Sequence, residues 1–109
     1  MKKNIIVFLS IVFFSSSLFA ASFDCKKAST KTEKWICSDK ELGKLDENMA
    51  ELYKDVKRIY PGVVSEQKEW LKSIKGCENA ACLKEQYQER NSELVNIIIR
   101  AEREALQKE

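Results

Sequence analysis

The sequence predicts an all-α fold: a small antiparallel bundle of three main helices and a short N-terminal helix, stapled by two disulfides. Three observations lead there. Apolar residues recur at spacings of three and four, with no strand-like alternation. Four cysteines, an even number, occur in a chain of only 109 residues. The single proline falls where one helical run stops.

The first segment reads as a leader rather than as part of the fold. Lys2 and Lys3 precede an apolar run from Ile5 to Phe14 that only Ser10 interrupts, and three serines then lead to Leu18-Phe19-Ala20-Ala21. This is the layout of a secretory signal peptide, with small residues offered for cleavage. The run falls short of the roughly 20 apolar residues that a spanning helix needs. Cys25 follows Phe23-Asp24 rather than the small residues a lipid-modified cysteine requires. The expected division is therefore a leader over 1–21 and one domain over 22–109, with no stable membrane insertion after cleavage and a periplasmic or secreted location. Removing 21 of 109 residues leaves 88, and removing Lys2 and Lys3 leaves 17 basic residues against 17 acidic ones. A neutral domain whose adjacent cations are only Lys26-Lys27 and Lys57-Arg58 offers no basic surface for nucleic acid.

Within the domain, Thr30 with Glu33 and Ser38 with Glu41 each fit a capping box. They predict a short helix from about Lys31 to Cys37 and a second starting near Asp39. In the second, Leu42, Leu45, Met49, Leu52, Val56 and Ile59 form one apolar stripe, and Tyr60-Pro61-Gly62 ends it. A third helix places Val63, Gln67, Trp70, Leu71 and Ile74 on one face, with Gly76 as its stop. Asn79 is positioned to cap a fourth, in which Leu83, Tyr87, Asn91, Leu94, Ile98, Ala101 and Ala105 repeat at helical spacing. The polar residues from Gln107 onward are expected to fray.

An exported chain this short has a small core and benefits from covalent support. Cys25, Cys37, Cys77 and Cys82 are read as two disulfides. A zinc site would need close cysteine pairs or histidines, but the cysteine spacings are 12 and 5 and the chain has no histidine. Short turns make successive helices antiparallel and bring Cys37, Cys77 and Cys82 to one end of the bundle, within reach of Cys25. Pairing Cys25 with Cys37 and Cys77 with Cys82 is preferred; Cys25–Cys82 with Cys37–Cys77 is the alternative.

No catalytic machinery is evident. Without histidine there is no Ser–His or Cys–His pair, and disulfide-bonded cysteines are not nucleophiles. The three glycines, Gly43, Gly62 and Gly76, form no phosphate loop. Carboxylate pairs such as Asp46 with Glu47, or Glu66 with Glu69, read as solvated helix faces. No enzyme, metal or cofactor is expected. Trp70 and Tyr87 read as core. Trp35 either covers the disulfide end or anchors a partner. Asp46 and Arg90 are either a cross-helix ion pair or ordinary surface charges. A second stripe on the last helix, Val95, Ile99 and Leu106, is either covered by the segment around Phe23, the expected outcome, or left as a homodimer or partner surface.

With these residues in hand, the domain resembles the lysozyme-inhibitor LprI-like family of bacterial envelope proteins. The resemblance rests on Phe23-Asp24-Cys25, Lys27-Ala28, Glu33, Ile36-Cys37, Leu42, Leu45-Asp46 and Tyr53. Gln67, Trp70-Leu71, Cys77, Cys82-Leu83, Tyr87, Arg90 and Leu94 extend it to nearly the whole domain. The chain departs from the pattern at Trp35, where small or aliphatic residues are usual, and at Lys68, a frequent arginine. It also lacks the lipid anchor of the lipoprotein for which the family is named. The resemblance implies a helical four-cysteine periplasmic domain that blocks lysozyme-type muramidases, and it carries over no inhibitory residues. Because those enzymes work with two cleft carboxylates, the expected blocking element is the Tyr60-Pro61-Gly62 turn flanked by Lys57 and Arg58. The alternative is an envelope interaction module, such as a toxin-immunity protein or assembly factor, contacting its partner through Val95, Ile99, Leu106 and Trp35.

Overall fold

A computed structural model describes residues 21–108. Apart from Ala21, the expected leader lies outside the described residues. Four helices follow: α1 (Lys31–Ser38), α2 (Lys40–Ile59), α3 (Val63–Ser73) and α4 (Ala80–Gln107). Short 3-10 turns occupy Cys25–Lys27 and Ile74–Gly76, and no strand occurs among the described residues. The all-α expectation holds.

The helix starts are set by side chains that satisfy amides with no intrahelical partner. Thr30 Oγ1 accepts from the Glu33 amide at 3.1 Å, and Glu33 Oε1 accepts from the Thr30 amide at the same distance, so the capping box of α1 is complete. The expected box at Ser38 does not form. Ser38 belongs to the last turn of α1, and its hydroxyl donates to the Trp35 carbonyl. Asp39 caps α2 instead, accepting from the Leu42 amide at 3.1 Å. One residue thus closes α1 through its own amide, bonded to the Trp35 carbonyl, and opens α2 through its carboxylate. Asn79 caps α4 as its sequence position suggests, accepting from the Cys82 amide at 2.8 Å. The 3-10 turn carries the chain past Ser73 to Gly76, so the regular part of α3 ends three residues before that glycine.

The three long helices run up, down and up. Asp39 at the start of α2 meets Lys84 of α4, Asp46 meets Tyr87 further along, and Asp55 to Ile59 at its end lie beside Ile98 to Ala105, so these two helices are parallel neighbours. Between them in sequence, α3 returns antiparallel and brings Gln67 against Met49 and Arg90. Leu42, Val56, Val63, Leu83, Tyr87 and Leu94 are fully buried at this junction. Ile36 of α1 completes the core at the lower end. Both disulfides take the preferred pairing, Cys25–Cys37 and Cys77–Cys82. The first ties the N-terminal segment to α1, and the second closes the link between α3 and α4.

Lys84 of α4 reaches Asp39 and Glu41 at the start of α2, at 3.2 and 3.4 Å. The Leu42 amide first, then Lys84, hold the Asp39 carboxyl below its ordinary value of 3.8. The Thr30 and Ser29 amides likewise hold Glu33 below 4.5. Groups depressed on folding contribute stability that is complete above their unfolded values and is lost as pH falls through the folded ones. Thermal midpoints are therefore expected to be level above about pH 5 and to decline steadily below it. Asp39→Asn, which keeps a cap but loses the charge, should flatten part of that acid decline in melts followed by circular dichroism.

Candidate functional site

Two places carry polar chemistry out of the ordinary for a helical bundle: the exposed turn between α2 and α3, and a buried chain of polar groups between the helices. The turn is short and internally braced. The Val63 and Val64 amides donate to the Tyr60 and Pro61 carbonyls at 3.1 and 3.2 Å, so α3 begins inside the turn itself. The Tyr60 hydroxyl donates to Glu66, which raises the phenol's pKa through that hydrogen bond and then through the carboxylate's charge. The tyrosine ring lies back over Gly62, where an added Cβ would stand 2.7 Å from its Cε1. A larger residue there would push the Tyr60 ring aside, and the constraint is this close approach rather than backbone conformation, since no described glycine has positive φ.

The flanking cations lean towards neighbours on their own helix. Arg58 pairs with Asp55, and Lys57 Nζ stands 5.5 Å from the centre of the Tyr53 ring. The side chains of Arg58 and Asp55 are 73% and 53% exposed, so the pair is screened by water and is worth little. Both cations are free to turn outward at small cost. Trp35 does not join this group. It sits half-buried on α1 with Lys31 above its ring, at the opposite end of α2. A helix of that length separates the two ends by about 30 Å.

The buried chain departs from the expectations drawn from the sequence. Asp46 and Arg90, read from sequence as an ion pair or as surface charges, are neither: they are 3% and 5% exposed and do not meet. Asp46 Oδ1 accepts from the Tyr87 hydroxyl at 2.8 Å, and Oδ2 accepts from the Ser22 amide at 2.8 Å and from the Ser22 hydroxyl. Burial first, and the Asp46 charge second, push the Tyr87 phenol far above its ordinary value. Arg90 Nε donates to Gln67 Oε1 at 3.0 Å, and Gln67 Nε2 faces Met49 Sδ at 3.3 Å. Arg90 Nη1 reaches the exposed Glu93, while Nη2 is buried without a partner. Trp70 completes the assembly, edge-on to Tyr87 with ring centres 4.9 Å apart. The sequence signal for this chain lay on the helical wheel: Asp46 follows Leu42 by four and precedes Met49 by three, and Arg90 follows Tyr87 by three and precedes Leu94 by four. Both therefore lie on core faces.

Phe23 takes a different course from the one expected. It does not cover Val95, Ile99 and Leu106 on α4. Instead it lines a mainly apolar groove of about 540 Å³ with Ile36, Met49, Tyr53, Leu71 and Ile74, to which Asp46 and Tyr87 also contribute. The polar anchor that Ser22 finds on Asp46 draws the N-terminal segment to that side. Val95, Ile99 and Leu106 are left 38%, 41% and 71% exposed. Ile59 at the end of α2 is 50% exposed and borders a shallow depression with Ile98, Ala101 and Ala105.

Among the described residues, no group of histidine, cysteine or acidic side chains stands together in a way that could hold a metal ion. No helix among them is long and apolar enough to cross a membrane. The two disulfides fit an oxidising compartment outside the cytoplasm. No protein-family model, curated protein or solved structure matches the chain.

Proposed function

We propose that this chain is a periplasmic binding protein, without catalytic activity of its own, that inhibits lysozyme-type muramidases by filling the substrate cleft. The observation that carries the reading is the Tyr60-Pro61-Gly62 turn: exposed, hydrogen-bonded within itself, and flanked by two cations held only by weak surface partners. A rigid protrusion binds with little ordering cost. Lys57 and Arg58, once turned outward, supply donors to the pair of acids on which such an enzyme depends. The sequence resemblance to LprI-like inhibitors supports the same reading, although it carries over no inhibitory residues.

Purified disulfide-bonded protein titrated against chicken-type and goose-type lysozymes should slow the clearing of cell-wall suspensions. Undiminished clearing at micromolar excess ends the reading. Lys57→Glu with Arg58→Glu should weaken inhibition at least tenfold, a loss of about 1.4 kcal/mol, while leaving the thermal midpoint nearly unchanged. Gly62→Ala should displace the Tyr60 ring, separate it from Glu66 and loosen the turn. Its expected mark is weaker inhibition with little loss of stability.

A second reading is favoured by a different observation. Val95, Ile99 and Leu106 leave an aliphatic strip of α4 uncovered. An interaction module, whether an immunity protein, an assembly factor or a homodimer, would use that strip. Sedimentation separates the last of these: a monomer at high concentration removes self-association.

A further inference from the structure

We propose that hydrolysis of the Ala21–Ser22 bond creates the counter-ion of Asp46, so that removal of the leader supplies the buried carboxylate with its cation. Asp46 is a buried carboxylate at the centre of the bundle, and none of the ion pairs among the described residues includes it. Arg90, the nearest candidate in sequence pattern, bonds Gln67 and Glu93 with Nε and Nη1, and its remaining buried nitrogen, Nη2, makes no bond to Asp46. A buried charge without an opposite charge is costly, and hydrogen bonds alone relieve only part of that cost. The atom lying 2.8 Å from Asp46 Oδ2 is the backbone nitrogen of Ser22. This is the nitrogen that becomes the α-amino group if the leader over 1–21 is removed as its sequence suggests.

The chemistry balances with water as the only co-reactant. Hydrolysis adds one water across the amide, leaving a carboxylate on Ala21 and an ammonium on Ser22. A neutral amide donor to Asp46 is thereby replaced by a positively charged group. It can offer one proton to Oδ2 and others to solvent, since Ser22 is exposed on its outer side. The Ser22 hydroxyl, already on Oδ2, and the Tyr87 hydroxyl, on Oδ1, hold the carboxylate in position to receive it. Ala21 is itself buried against the core. A mature chain that retained it would keep an amide at Ser22 and leave Asp46 without a cation, so the position of the cut decides the matter.

The test uses the full chain exported from a bacterium with its own leader. Intact mass of the exported protein should correspond to a chain beginning at Ser22 with both disulfides formed. Selective acetylation of its α-amino group should lower the thermal midpoint by about 5 °C or more, and Asp46→Asn should abolish that sensitivity. Ser22→Ala, which removes the hydroxyl but keeps the amine, should retain it; this variant keeps the idea testable if Asp46→Asn does not fold. A mature chain beginning at any other residue overturns the proposal. So does acetylation that leaves the midpoint within about 1 °C, or that lowers it equally in Asp46→Asn. None of these readouts depends on inhibition of a muramidase, so this idea and the functional proposal fail separately.

Discussion

Tyr87→Ala is expected to lower stability by about 3–5 kcal/mol. The ring is 1% exposed and fills the junction of α2, α3 and α4. Its edge packs on Trp70 and its hydroxyl is one of the donors that hold Asp46. Truncation removes the packed volume and the hydrogen bond together. Tyr87→Phe separates the two effects. The ring and its contact with Trp70 survive, but Asp46 Oδ1 becomes a buried acceptor without a partner, at a cost of about 1–3 kcal/mol. Urea unfolding of the three proteins should rank them native, Phe, Ala, with the Phe variant clearly short of native. A Tyr87→Phe protein as stable as the parent would mean that the Asp46 contact contributes nothing.

Removing the Cys25–Cys37 bridge by a double change to alanine is expected to cost about 3 kcal/mol, since its partners are 12 residues apart in sequence. The damage should be local. That bridge holds the Phe23 segment to α1, and with it the approach of Ser22 to Asp46. Hydrogen exchange should speed up over α1 and the residues before it, while α2, α3 and α4 keep their protection. Removing Cys77–Cys82, whose partners are only five residues apart, should cost less, about 2 kcal/mol, and should loosen the α3–α4 link instead. Equal effects on α1 from both removals would refute this division.

Most of the fold was legible because it is local. The stripe on α2, the box at Thr30, the cap at Asn79 and the proline stop are all written within a few residues of where they act. The pairing of Cys25 with Cys37 and Cys77 with Cys82 followed from the same preference for short closures. The errors came where the deciding partner is distant. Ser38 and Asp39 compete for one cap, and the contest is settled by how α1 ends and by Lys84, 45 residues beyond Asp39. The expectation for Asp46, an ion pair with Arg90 or an ordinary surface charge, fails because carboxylates are usually exposed or paired and its actual donors lie 24 and 41 residues away. The path of Phe23 failed for the same reason, since nothing near it in sequence announces the anchor at Ser22. The turn at Tyr60 was found, but not the inward fold of its ring or the commitments of its cations. Those depend on Glu66, Asp55 and Tyr53.

The order of the two bridges along the chain has a consequence for biogenesis. Each cysteine is joined to the next one in sequence, first with second and third with fourth. A polypeptide threading out of a membrane pore, N-terminus first, presents each partner just after its mate, and loop closure favours the nearer thiol over any later one. Indiscriminate oxidation of whichever thiols emerge together therefore yields the native set. If the chain is exported as its leader suggests, oxidative refolding without an isomerase is expected to give the native pairing, checked by peptide mapping of the oxidised protein.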